Sequence, residues 1–295
     1  MNAFREVTVR EPAELLKFLL GEWSGVRRKV VQEWLKFRQV TVNGEAVTQF
    51  NHPLIRGDVV AVRREPAAAK PTGRLGSGMR IRFEDDHLIV VEKPSGLLSM
   101  ASERERNRTA YAQLVTHVRR GNPRSRERIF IVHRLDKETS GLMVFARSEA
   151  AKRQLQGGWE KTTKRYLAVI EGRLPASAGC FESHLDESDP LRVKVFPVPG
   201  SNTRPARTDY RVVREGGRYS LVELTLLTGR RHQIRVQLAA AGCPIVGDDR
   251  YGATSNPAGR MGLHSAFLEF VHPNDRRIMT FESAPPRELT IFDRW

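Results

Sequence analysis

HRLDKETSGL, residues 133–142, stands between two apolar runs at residues 129–132 and 142–146. Both runs read as short buried strands, since brief apolar stretches bounded by polar and turn-forming residues suit the interior of a sheet. Thr139-Ser140-Gly141 at the end of the decamer is a turn signal. The pattern therefore predicts a loop between two rigid strands, carrying Asp136 with His133 and Arg134 just before it. A carboxylate held in that way can act as a nucleophile, a base or an anchor for a cation. The bland alternative is a solvated charged loop, where most exposed charges belong.

Outward from this segment, strand-like runs recur at 88–91, 166–170, 208–213 and 221–226. They are separated by polar turns or single helices with no regular alternation of strand and helix, which predicts an α+β fold. Val222, Leu224 and Leu226 alternate with Leu221, Glu223 and Thr225, as on a strand with one buried face. Gly229 breaks that strand. Residues 230–241 then carry helical spacing, with Ile234 and Leu238 on one side and Gly242 as the closing cap. Gly157-Gly158, just before Trp159, predicts an early stop or a kink in a helix that starts near Ser148.

The length of 295 residues suggests about two domains. Residues 65–78, EPAAAKPTGRLGSG, read as a linker between a small module at 1–64 and a larger domain at 79–295. In the small module Leu15, Leu16 and Leu19 form the apolar stripe of a first helix. Ser24 is the expected N-cap of a second helix, whose apolar face holds Val26, Val30, Val31, Trp34 and Leu35. Arg27, Arg28 and Lys29 fall on its other side, where a wet face and an RNA contact are both open readings. Asn43-Gly44 after Val40-Thr41-Val42 is a hairpin signal. Arg56-Gly57-Asp58 turns into a further strand at 59–62.

The chain carries 49 Lys and Arg against 34 Asp and Glu, a formal charge of +15. Such an excess draws in polyanions, so nucleic acid is the first candidate partner and an anionic membrane the second. The membrane is disfavoured because no apolar stretch approaches the ~18 residues of a spanning helix. The opening MNAFREVTVREP lacks the apolar core of a signal peptide. Cys180 and Cys243 form no CxxC pair, which predicts a reducing, cytoplasmic setting. No cluster has zinc-like spacing, so no metal is expected, and no phosphate-binding GxxxxGK[ST] loop is present, so nucleotide hydrolysis is unsupported.

The decamer resembles the central HRLDxxTSGL motif of the RluA-type RNA pseudouridine synthases. Arg147 stands near where that family usually has lysine. EKPSGL at 92–97 resembles its KPxG segment, KRYLAV at 164–169 its KxYxA strand, and TGRRHQIR at 228–235 its TGRxHQIR segment. PIVGD at 244–248, Tyr251-Gly252 and LHS at 263–265, with Ser for the usual Ala, follow in family order. The matches run from about residue 84 to about residue 285. The first module is similar to the S4 RNA-binding domain that often precedes this catalytic domain.

The resemblance implies a catalytic domain built on a mixed, largely antiparallel sheet, acting on structured RNA without a cofactor. Large-subunit ribosomal RNA is favoured and transfer RNA is open; a monomer is favoured. It implies that Asp136 is the catalytic carboxylate. A working carboxylate must be ionised and an adjacent cation favours that form; the resemblance makes Arg235 that cation. Tyr166 is implied to line the uracil pocket and to help remove the C5 proton, although an ordinary phenol is a weak base. Enzymes that act on a base flip it out of the stack, and Arg134 is implied to fill the vacated place. Arg230, His232, Gln233 and His133 are further candidates for substrate or RNA contact; His232 and Gln233 are expected to shape the pocket or contact phosphate rather than transfer protons, and His133 also reads as a satisfied histidine at a strand end. Two other readings compete. One is a catalytically silent RNA-binding protein of the same fold, which would need a broken catalytic set. The other is a nucleoside hydrolase or metal-dependent nuclease, which would need acids distributed for a metal.

Overall fold

The computed structural model describes residues 3–36, 39–63, 75–103, 105–119 and 125–290. The chain divides into two compact units, Met1–Pro71 and Thr72–Trp295. The division falls inside the stretch read as a linker, of which residues 65–74 lie outside the described residues.

In the first unit β1 (Ala3–Thr8), β6 (Val59–Arg63), β3 (Val40–Val42) and β4 (Glu45–Ala46) form one antiparallel sheet in that order. A short pair, β2 (Ala13–Glu14) with β5 (Pro53–Leu54), lies beside α1 (Leu15–Glu22) and α2 (Arg28–Lys36) in the chain. Leu15, Leu16 and Leu19 are buried with Val31, Leu35 and Val60, as the helical stripe predicts. Asn43 and Gly44 both take positive φ, 51° and 82°, the backbone that a two-residue hairpin turn demands. The Asn43 side chain then ties the turn to the next strand, donating to Asp58 Oδ1 and accepting from the Val59 N–H.

The second helix begins later than expected. Ser24 does not cap it: residues 23–26 form a turn closed by Val26 N–H to Trp23 O, where Gly25 disfavours helix. The Arg27 carbonyl accepts the first helical bonds, from Val30 and Val31. Arg27, Arg28 and Lys29 are exposed.

The second unit is α+β around an eleven-stranded, largely antiparallel sheet. Its main path runs β13 (Lys194–Phe196), β12 (Ala178–Asp186), β14 (Thr203–Glu215), β15 (Tyr219–Leu226), β11 (Thr163–Glu171), β16 (Leu263–Val271), β10 (Ser140–Ala146), β8 (Leu88–Lys93), β7 (Arg80–Glu84). β17 (Ile278–Glu282) pairs with β16, and β9 (Phe130–Ile131) with β10. Helices α3 (Ala110–Arg119), α4 (Glu149–Gly157), α5 (Gln233–Ala240) and α6 (Arg287–Thr290) complete it. All seven residues of β10 are buried, so both faces of that strand are covered, which explains its unbroken apolar run.

Three local expectations change. The run at 129–132 shrinks to the two residues of β9, because it pairs only with Phe145 and Ala146 before the chain leaves the sheet. Thr139-Ser140-Gly141 is not the turn. The turn begins at Asp136, whose carbonyl accepts from Thr139 N–H at 3.2 Å, and Ser140 and Gly141 already belong to β10. They pair in parallel with His264 and Ser265 of β16. Helix α5 starts at Gln233 rather than at residue 230, because His232 takes a left-handed backbone, φ 54°. At its other end Gly242, φ 75°, closes the helix as expected. Helix α4 stops at Gly157, and a 3-10 turn, Trp159–Lys161, follows Gly158.

Candidate active site

The loop that carries Asp136 is gripped from the segment after β8. Lys93 is fully buried and donates to three carbonyls, Pro94 (3.0 Å), Leu97 (2.7 Å) and Lys137 (3.0 Å). Burial lowers its pKa to about 7, against the pull of Glu138 and Asp136. Ser99 Oγ donates to Leu135 O at 2.6 Å and accepts from Leu135 N–H at 3.1 Å. Ser95 Oγ donates to Glu138 O at 2.7 Å. Backbone on both sides of Asp136 is thus fixed by Lys93 and Ser95 of the EKPSGL motif, to which no role had been attached, and by Ser99, which lies outside it.

Arg235 projects from α5, and it reaches the carboxylate as expected: Nη1 donates to Asp136 Oδ2 at 3.2 Å. Its other edge forks onto Asp248, Nε to Oδ2 and Nη2 to Oδ1, both at 2.7 Å. Burial works against the guanidinium charge, but the hydrogen bonds and charge of Asp248, with that of Asp136, outweigh it and hold the pKa above its ordinary value. Among the described residues Oδ1 of Asp136 receives no hydrogen bond, so one oxygen of the carboxylate is tied and the other is open.

Asp136, Arg134, Tyr166, Arg230, His232 and Arg235 line one cavity of about 590 Å³. Such a volume falls within the range of roughly 300–1,000 Å³ typical of small-molecule sites. Tyr166, on β11, is buried and pairs across the sheet with Ser265 of β16. Burial pushes the phenol up to about 12, with Ser265 pulling it down and Asp136 raising it. A phenol raised in this way is protonated near neutrality, and Tyr166 forms part of the cavity wall. Arg134 is exposed at the cavity and makes no hydrogen bond or ion pair with the described residues. The structural ion pair weighed against its role is therefore not seen there.

Two candidates are satisfied by the fold itself. Gln233 is buried with every polar position engaged: Oε1 accepts from Thr228 Oγ1 (2.8 Å) and Arg230 N–H (3.0 Å), and Nε2 donates to Arg207 O (3.0 Å) and Thr208 Oγ1 (2.8 Å). It shapes the turn into α5 and has no polar atom left for RNA. His133 accepts the Val144 N–H on Nε2 at 3.1 Å and lies against the Trp159 ring, centroids 4.5 Å apart. Burial, helped by the Lys164 charge, lowers its pKa to about 3. It is the satisfied strand-end histidine.

His232 touches the site itself. Its Nδ1 is 2.8 Å from the Tyr251 hydroxyl and its Nε2 is 3.8 Å from Asp136 Oδ2. Burial lowers its pKa to about 4, with Asp136 opposing and Arg235 adding to the shift. Arg230 donates from Nε to Pro205 O at 3.2 Å. Arg27, Arg28 and Lys29 belong to the first unit. Asp248 and Tyr251 were missed as site residues; their signal was their place in the stretch 244–252, with no chemistry attached to it.

The sequence pattern of the RNA pseudouridylate synthases matches residues 87–240. The chain is 34% identical over 268 residues to the uncharacterized RNA pseudouridine synthase YhcT of Bacillus subtilis, covering 89% of this chain and 86% of that one. It is 34% identical over 299 residues to the ribosomal large subunit pseudouridine synthase D of Nitrosomonas europaea, covering 94% and 81%. Among solved structures, human RNA pseudouridylate synthase domain containing 1 superposes with a TM-score of 0.57 at 26% identity, over 74% of this chain and 86% of that one.

Proposed function

The chain belongs to the RNA pseudouridylate synthase family, and from that premise we propose that it isomerises uridine in large-subunit ribosomal RNA through Asp136. The observation that carries the proposal is the carboxylate at the cavity wall, with Oδ2 held by Arg235 and Oδ1 open. The isomerisation breaks the bond from uracil N1 to ribose C1′, turns the detached uracil and joins C5 to C1′; the proton lost from C5 is balanced by one taken up at N1. Nothing is oxidised and no group is lost, so no redox partner or energy donor is needed. Asp136 meets the reaction where positive charge develops on the ribose or where C6 is attacked. Arg235 orients it, and neutral Tyr166 packs the uracil. Arg134, unpartnered at the rim, takes the place of the flipped base, since its planar guanidinium stacks on neighbouring bases.

The choice of RNA rests on the relatives: proteins of Nitrosomonas europaea, Vibrio cholerae and Neisseria meningitidis that align with this chain are named as large-subunit enzymes. The first unit, with exposed Arg27, Arg28 and Lys29, adds phosphate contacts as an S4-like module. A catalytically silent RNA binder is disfavoured because Asp136, Tyr166 and Arg235 are all present and assembled. Pseudouridine mapping across total RNA, with and without the gene, tests the assignment. Loss of one or a few pseudouridines in large-subunit RNA is expected. Losses confined to transfer RNA would move the substrate, and no loss anywhere would contradict the proposal.

A further inference from the structure

We propose that Tyr251 and His232 are positioning residues that present an N–H to Oδ2 of Asp136, leaving Oδ1 as the oxygen that reacts. The inference rests on the reading of Asp136 as the catalytic carboxylate. It follows from counting the protons around one hydroxyl.

The Tyr251 hydroxyl sits between two nitrogens. It accepts from the buried Val193 N–H at 3.0 Å, and it lies 2.8 Å from His232 Nδ1. The phenol has a single proton, and Nδ1 is the one acceptor in reach of it among the described residues. If that proton goes to Nδ1, every group is satisfied and the ring carries its own hydrogen on Nε2. If Nδ1 carried the hydrogen instead, the hydroxyl would accept twice and its proton would have no partner. The Nε2 lone pair would then face the carboxylate oxygen 3.8 Å away, lone pair against negative charge. Both considerations select the Nε2–H form. The doubly protonated ring is disfavoured because burial keeps the histidine neutral, with a pKa near 4.

The backbone fixes the direction of this N–H. His232 holds φ at 54°, an uncommon conformation for a residue with a side chain and one that recurs at functional sites. It is the last residue before α5, so its ring and Arg235 approach Asp136 from one short segment. Both meet the same oxygen, Oδ2, Arg235 Nη1 at 3.2 Å and His232 Nε2 at 3.8 Å. The longer distance exceeds a formed hydrogen bond. At that distance the N–H acts on Oδ2 through its charge distribution, beside the hydrogen bond from Arg235. The hydroxyl also ties the pair to the rim, because Val193 belongs to a loop that Arg231 and Arg250 hold through the carbonyls of Glu187, Pro190 and Leu191.

The test joins histidine 15N NMR to single-turnover rates at saturating RNA. In the full-length protein the His232 spectrum should show unprotonated Nδ1 and protonated Nε2. Tyr251→Phe should lose the fixed tautomer and slow the saturated rate roughly tenfold, the rate equivalent of one hydrogen bond, with RNA affinity unchanged. His232→Gln, which keeps an N–H, should retain more rate than His232→Ala. A protonated Nδ1 in the wild type, or Tyr251→Phe at the full rate, would overturn the inference. If Tyr251→Phe fails to fold, the wild-type tautomer and the Gln–Ala comparison decide. Asp136→Asn, run in parallel, separates the two claims. An inactive Asp136→Asn beside a fully active Tyr251→Phe sinks the positioning role alone, whereas an active Asp136→Asn removes the reading beneath it.

Discussion

Asp248 gives both carboxylate oxygens to Arg235 and is almost wholly buried while doing so. Removing it takes away two of the three hydrogen bonds that the buried Arg235 guanidinium makes. Breaking a buried pair from one side costs about 3–5 kcal/mol, so Asp248→Ala should lower stability on that scale and release Arg235 from its aim at Asp136. Denaturant titration and single-turnover rates check both effects; a variant within about 1 kcal/mol of wild type and at full rate would contradict the clamp. Asp136 and Arg235 were legible in the sequence because their motifs attach a chemistry to them. Asp248 was not, since its importance lies in burial and in a partner thirteen positions away. For Gln233 and His133 the sequence left two readings open. A polar residue inside a motif can point at the ligand or at its own backbone, and only the hydrogen bonds of the fold distinguish these. Tyr166 was read as pocket wall and as a weak base; it lies in the cavity wall, and burial raises its phenol to about 12.

At the scale of elements, β10 shows why some strands could be read and others could not. Its buried apolar run announces a strand, as do those of β8, β11 and β15. β12, AGCFESHLD, is mostly exposed or half-exposed and has no alternation to find. β16 places polar His264 and Ser265 in the interior, where His264 Nδ1 pairs with Ser140 Oγ at 2.8 Å and Nε2 with Ser283 Oγ at 3.0 Å. Buried polar groups that satisfy one another look like surface until the partner is known. Gly141 was read as a turn former, but its task is close approach. It holds φ at 112°, and a Cβ there would sit 2.2 Å from the Ser265 carbonyl oxygen. Gly141→Ala must push β10 away from β16 at the root of the catalytic loop, and should cost roughly 3 kcal/mol or more. Equilibrium unfolding measures this; a near-neutral substitution would show that the two strands are not held as close as described.

At the scale of the whole molecule, segments far apart in the chain meet around one cavity: 93–99 beneath the loop, Asp136 within it, Tyr166 on β11, and 230–235 with Asp248 opposite. The order of motifs along the sequence named Asp136, Tyr166 and residues 230–235 of this set, but not Asp248 or Ser99, nor which member holds which. The charge of +15 is spread over the chain, and phosphate contacts of that kind dominate RNA affinity. One neutralised carboxylate in the cavity should therefore leave binding almost untouched, which lets chemistry be measured apart from affinity. The decisive measurement is single-turnover conversion of uridine to pseudouridine in large-subunit ribosomal RNA by Asp136→Asn, with the dissociation constant determined on the same RNA. No detectable product with affinity within a few-fold of wild type is the predicted result. Turnover within about tenfold of wild type, equivalent to less than ~1.4 kcal/mol of barrier, would contradict the assignment of Asp136 as the group that carries the reaction.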